Sequence, residues 1–240
     1  MLEGAYVNIA TVFFEFLCFP KFTVENLKSV VEFSEESRRM VEDGLRKGTG
    51  LVMMSGHFSN WELIALTIGA YFPGRMQIIV HPFHNEAVDK LANKYRSRLG
   101  NSTVPMASSI RAALTHLKSN GILALLADQS AAKESDPAKF FGIDVPTFQG
   151  PASFALRMRS DILAGFLIRN ENGKYTVHLQ KIDYDDLADD SPENVRELTQ
   201  RHVAILEEFI RKYPSDWLWF HRRFKHMPQF QRLMEEAKQN

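Results

Sequence analysis

The chain has 240 residues and a single cysteine, Cys18. One thiol excludes an internal disulfide and suits a reducing cytoplasm. Cys18 lies in an apolar segment and reads as packing rather than as a nucleophile. Excess charge is also missing. Lys+Arg and Asp+Glu both total 29, the formal net charge is zero and the sequence pI is about 7.1, so nothing in the bulk composition points to nucleic acid. No HExxH and no Cys/His cluster occurs, and His221 and His226 stand too far apart from other ligands to make a site, so neither a metal nor a cofactor is expected. No G-x-S-x-G elbow is present, which removes the usual signature of a serine acyl-enzyme. No Pro/Gly/Ser-rich linker, repeat or low-complexity tract divides the chain, so residues 1–240 are expected to form a single domain.

An uninterrupted membrane-spanning run is wanting too. Leu2 to Phe19 is largely apolar but carries Glu3, Asn8 and Glu15. A spanning helix needs about 20 mostly apolar residues, so the segment is expected to be a poor candidate for crossing. It has neither the charged start nor the cleavage site of a signal peptide. Residues 1–33 are read as an N-terminal helical segment, either docked on the core or lying on a membrane surface.

What is there is a regular alternation. Apolar runs at Leu51–Ser55, Met76–Val80, Ile122–Ala127 and Ile162–Arg169 read as strands, and so does Tyr175–Lys181 after a hairpin turn. Between them, helical spacing covers Ser34 to Lys47, Asn60 to Tyr71, Asn85 to Leu99, Ser108 to Ser119, Pro151 to Arg159 and Pro192 to Tyr213. Asn170-Glu171-Asn172-Gly173 is a hairpin turn. This pattern predicts an α/β fold with a mainly parallel central sheet flanked by helices. Asp128 to Gln149 reads as one long loop, a length usually reserved for function or disorder.

The most informative stretch is Gly56-His57-Phe58-Ser59-Asn60-Trp61-Glu62, directly after the first of these strands. A buried strand thus delivers a histidine to a turn, and a glutamate follows in the first turn of a helix. Histidine is the usual general base near neutral pH, and a carboxylate beside it fixes its tautomer and steadies the imidazolium. Five residues along a regular helix is a rotation of about 140°. The two side chains therefore converge only if His57 precedes the helix and Glu62 lies within it, with Ser59 or Asn60 as N-cap. Alone, His57 is better read as a histidine satisfying a turn than as a base.

GHFSNWE resembles the H-x4-D/E block of membrane-associated acyltransferases, and the chain is more closely similar to the late lipid A acyltransferases, the lauroyl/myristoyl transferase family. Ala127-Asp128-Gln129-Ser130, Phe140-Phe141-Gly142-Ile143 with Pro146-Thr147-Phe148-Gln149-Gly150, Ala155-Leu156-Arg157-Met158, and Trp217-Leu218-Trp219-Phe220-His221-Arg222-Arg223-Phe224-Lys225 carry the rest of the resemblance, from about Leu27 to Pro228. It implies acyl transfer from a thioester to a hydroxyl, with His57 as base and Glu62 as its partner. It further implies acyl carrier protein or acyl-CoA as donor, a membrane glycolipid such as a lipid A precursor as acceptor, and a peripheral position on the cytoplasmic face of the inner membrane. The transmembrane helix that family members usually carry upstream is expected to be absent here, through a naturally short or a trimmed chain.

Further candidates follow from the same blocks. Asp128 ends a strand and is either a loop cap or a site residue holding a positive side chain. Where the family often has Tyr-Arg-Pro, this chain has Val80-His81-Pro82, so His81 is expected to line the site, with Arg96 or Arg98 as stand-ins for the arginine. Arg157, on an apolar helix, is either anion-binding or a surface side chain. Trp217 and Trp219 read as core, while Arg222 and Arg223 are candidates for binding a phosphate-bearing lipid. Two rival functions share the fold: an inactive lipid-binding protein, and a hydrolase of acyl thioesters or lysolipids.

Overall fold

In a computed structural model, which describes residues 1–228 and 230–232, the elements run in the following order. Helix α1 (Leu2–Cys18) passes through a single 3-10 turn into α2 (Val24–Val30), the short β1 (Val31–Glu32) and α3 (Glu35–Arg46). Then come β2 (Leu51–Ser55), α4 (Trp61–Tyr71), β3 (Met76–Val80), α5 (Glu86–Arg96), β4 (Ser102–Pro105), α6 (Ser109–Lys118) and β5 (Ile122–Leu126). A hairpin of β6 (Pro137–Phe140) and β7 (Ile143–Pro146) follows, then α7 (Gly150–Met158), β8 (Asp161–Arg169), β9 (Tyr175–Lys181) and α8 (Pro192–Lys212).

The main sheet is seven-stranded, in the order β1-β9-β8-β2-β5-β3-β4. Pairing is parallel from β8 through β2, β5 and β3 to β4, whereas β8 and β9 form an antiparallel hairpin. Period-two alternation explains why the central strands are apolar throughout. Val52 and Met54 face one core, with Leu117, Ala155 and Leu206 of α6, α7 and α8. Leu51 and Met53 face the other, with Val41 of α3 and Leu63 and Ile68 of α4. Helix α4 lies inside that second core and is apolar nearly all round, as a buried helix must be. Each fully buried Leu or Ile here contributes about 1.5–3 kcal/mol.

The segment from Asp128 to Gln149, expected as one long loop, contains the β6–β7 hairpin. Phe141 and Gly142 turn it with positive φ of 52° and 78°, a conformation that glycine takes without steric cost. Ala138, Phe140 and Val145 bury against α8 and the first core. The edge strand β4 was also missed, because Ser102-Thr103-Val104-Pro105 is too short and polar to stand out.

The N-terminal segment forms helix α1, as expected, and docks on the core along one side. Leu2 to Lys21 is helical, and by length and composition it is sufficient to cross a membrane. Of the three interruptions, Glu3 is exposed, whereas Asn8 and Glu15 face the protein. Asn8 Nδ2 donates to the Asp216 carbonyl at 3.0 Å, and Glu15 accepts from Asn60 Nδ2 at 2.6 Å and from the Tyr175 hydroxyl at 2.9 Å. The opposite side exposes Leu2, Tyr6, Val7, Phe13, Phe14 and Leu17.

Candidate active site

Strand β2 is flanked by β8 on one side and β5 on the other, with β3 beyond β5. The chain leaves β2 in one direction along the sheet and later returns on the other side, and such a point opens a crevice beyond the carboxyl ends of the strands. Ser55 of β2 pairs in register with Leu126 of β5. His57 and Asp128, each two residues past these positions, therefore emerge side by side.

Asp128 is buried and is held by three donors. The His57 backbone N–H reaches its Oδ2 at 2.8 Å, the Trp217 indole N–H reaches the same oxygen at 2.9 Å, and His57 Nδ1 lies 2.8 Å from Oδ1. Burial alone would raise the carboxyl's pKa; the facing His57 ring and the hydrogen bonds from His57 and Trp217 outweigh it and hold Asp128 below the ordinary carboxylate value. An ionised carboxylate only accepts, so Nδ1 carries the imidazole proton and Nε2 presents a lone pair. Nε2 points toward the Gln129 amide nitrogen, 3.3 Å away. The close approach needs Gly56, where a Cβ would sit 2.9 Å from Leu206 Cδ1 and 3.2 Å from Asp128 Oδ2.

The carboxylate that meets His57 is thus Asp128, whereas Glu62 had been expected. Asn60 caps α4 by accepting from the Leu63 N–H at 2.9 Å, and the first turn carries Glu62 toward α5. There it binds Arg96 through both oxygens, with Nη2–Oε1 at 2.6 Å and Nε–Oε2 at 2.9 Å. Burial lowers the Arg96 pKa, but Glu62 more than compensates, and the guanidinium is held above its ordinary value. Arg96 also lies over the rings of Phe16 and Phe83, so α1 and the loop after β3 close around this ion pair.

His57 and the Glu62–Arg96 pair line one cavity of about 630 Å³, with Asp128 buried behind His57. Its mouth is polar, with His57, Glu62, Arg96, His81, Gln129 and Lys225. Its interior runs between α4 and the sheet and is apolar, with Met53, Ile64, Ile68, Met76, Ile78 and Ala124. His81 is exposed at the rim, its Nδ1 3.1 Å from the Pro82 carbonyl. The structure does not bring Arg157 or Arg222 to this cavity. Both are exposed on the surface. Arg223 is buried beneath the site, where its guanidinium donates to protein groups. Sequence reading did not single out Trp61, whose ring meets His57 edge-on at 5.1 Å, nor Gln129, although both lie inside the motifs that it quoted. Among the described residues no cluster of His, Cys, Asp or Glu suited to a metal occurs.

Fold and site together define an α/β protein with a histidine–aspartate pair at the carboxyl ends of parallel strands, placed over an apolar cavity. Residues 1–226 match the profile of the bacterial lipid A biosynthesis acyltransferases, and the chain belongs to that family. Two curated proteins of Haemophilus influenzae, each named lipid A biosynthesis acyltransferase, are among its relatives. One is 27% identical over 185 residues, covering 75% of this chain and 57% of the relative; the other is 24% identical over 182 residues, covering 75% and 55%. The chain spans a little over half the length of these relatives.

Proposed function

We propose that the chain is an O-acyltransferase that moves a fatty acyl group from a thioester to a hydroxyl of a lipid A precursor or a related glycolipid. The observation that carries this reading is an imidazole oriented by Asp128 through Nδ1, with its unprotonated Nε2 beside the Gln129 amide at the polar mouth of a cavity whose interior is apolar. The acyl chain occupies the apolar part and places its thioester carbon beside His57. Nε2 takes the proton of the acceptor hydroxyl as its oxygen bonds to the thioester carbon. The tetrahedral intermediate then collapses, the carbon–sulfur bond breaks, and the thiolate leaves with the proton held on Nε2. Asp128 stabilises the imidazolium between these steps. The thioester is already activated, so no covalent acyl-enzyme is required. Arg96, fixed by Glu62, supplies a permanent positive charge at the mouth where negative charge develops on the carbonyl oxygen. His81, at the rim, is an additional donor in this scheme.

The donor is acyl carrier protein or acyl-CoA, and the enzyme works peripherally on the cytoplasmic face of the inner membrane, with α1 against the lipid. An intact His57–Asp128 pair argues against an inactive lipid-binding protein. Incubation with labelled acyl-acyl carrier protein, or acyl-CoA, and a panel of glycolipid acceptors tests the proposal. Labelled acylated lipid is the expected product, and His57→Ala should abolish it. Release of free fatty acid without transfer would make the protein a hydrolase instead, and near-normal transfer by the folded His57→Ala protein would refute the mechanism.

A further inference from the structure

The segment after α8 touches both loops of the site, yet it contributes little to the cavity itself. The Ser59 N–H donates to the Asp216 carbonyl at 2.7 Å, the Leu218 N–H to the His57 carbonyl at 2.9 Å, and Phe58 bridges Trp217 in antiparallel fashion. These bonds hold the loop after β2. The loop after β5 is held by the same segment: Trp217 Nε1 donates to Asp128, and Arg223 Nη1 donates to the Gln129 carbonyl at 3.0 Å. Arg223 Nη1 also reaches the Pro146 carbonyl at 2.6 Å, and Nη2 reaches Thr147 Oγ1 at 2.7 Å, so the end of the β6–β7 hairpin is tied in as well. Arg223 is only 2% exposed, and its guanidinium lies over the Phe140 ring with both Nη atoms bonded to protein acceptors. A side chain so placed cannot reach a lipid headgroup.

We propose that Asp216–Phe224 is a strap that sets the distance between His57 and Asp128, and that Arg223 is its positioning residue. The planar fork of arginine bonds three acceptors on two separate segments at once, which lysine, a point charge on a flexible stem, does not reproduce. Loss of the fork frees Gln129, and with it the adjacent Asp128, from its fixed place opposite His57. A misplacement of about 1 Å in a reacting pair costs up to about 100-fold in rate. The inference rests on the acyl-transfer reading, but its geometric core does not.

The test compares Arg223→Lys with wild type in two ways. In the transfer assay, kcat should fall by about 10-fold or more while KM for the acyl thioester stays within about twofold, in line with lost positioning. By NMR of the ring-labelled protein, the hydrogen-bonded His57 Nδ1 proton seen in wild type should weaken or disappear in the variant. A raised KM at unchanged kcat would overturn the strap in favour of substrate binding, and so would unchanged kinetics with an unchanged Nδ1 proton. Wild-type protein without transfer would sink the acyltransferase reading instead, and the NMR comparison would still decide the strap. If Arg223→Lys does not fold, Thr147→Val removes one acceptor from the other side, with the same readouts and a smaller expected loss.

Discussion

Replacing Asp128 by asparagine separates the two carboxylates that the sequence offers as partners for His57. In the wild-type site Oδ2 accepts two hydrogen bonds, from the His57 backbone N–H and the Trp217 indole N–H, and Oδ1 accepts one from His57 Nδ1. An asparagine has one oxygen and one NH2. Turning the oxygen toward the two donors keeps two bonds. The opposite orientation sets an amide N–H against both and leaves buried donors unpaired, at about 1–3 kcal/mol each. The first orientation therefore wins, and it places the NH2 against His57 Nδ1. That nitrogen must then accept, so the ring proton moves to Nε2, and the nitrogen that should receive the acceptor's proton no longer has a lone pair. The carboxylate charge that steadies the imidazolium is lost as well. The expected fall in kcat is about 10²–10⁴-fold, or about 3–5 kcal/mol of barrier, with little change in KM for the thioester. Glu62→Gln leaves the His57–Asp128 contact intact and should cost less. Steady-state transfer of labelled acyl chains measures both. Near-normal turnover in folded Asp128→Asn together with abolition by Glu62→Gln would refute the assignment and return Glu62 to the role of partner.

Two further outcomes follow from other parts of the molecule. His202 on α8 is buried, and desolvation with the nearby Arg223 charge pushes its pKa down to about 3. A histidine whose folded pKa is depressed contributes stability that is present above its unfolded value near 6.5 and is lost as pH falls toward the folded one. Going from pH 7 to pH 5 should therefore cost about 2 kcal/mol from this group at 1.36 kcal/mol per unit. Urea melts of wild type and His202→Gln check this, and an equally steep pH dependence in the variant would rule His202 out as its source. For the membrane, the exposed face of α1 supplies insertion that salt hardly affects, while Arg222 and Lys225 supply about 1 kcal/mol each at an anionic surface, which salt screens. Co-sedimentation with anionic vesicles should weaken only in part as salt rises. No binding at low salt would refute peripheral attachment, and resistance to both high salt and alkaline carbonate would make α1 an embedded element.

Local pattern was enough to place much of the architecture. Strands β2, β3 and β9 begin and end where the sequence pattern puts them: β2 and β3 are mostly apolar because both their faces are covered, and β9, half exposed, starts directly after the Asn170–Gly173 turn. The Asn170–Gly173 turn and the Asn60 cap were legible for a similar reason, since both rest on hydrogen bonds between near neighbours. The N-terminal helix was harder. Its polar residues could be weighed as interruptions but not assigned a direction, and only docking showed that Asn8 and Glu15 look inward and Phe13 and Phe14 outward.

The partner of His57 lay beyond any local rule. The sequence by itself determined that a strand would set a histidine on a turn before a helix, and that an acidic residue would sit in that helix's first turn. Whether that residue met the imidazole depended on how the capped helix was rotated and on what else arrived there. Asp128 lies 71 residues away, and it arrives because β5 enters the sheet between β2 and β3 in parallel register. Strand order is settled by which faces bury together across the whole sheet. The tertiary structure therefore gave His57 its aspartate and turned Glu62 to Arg96.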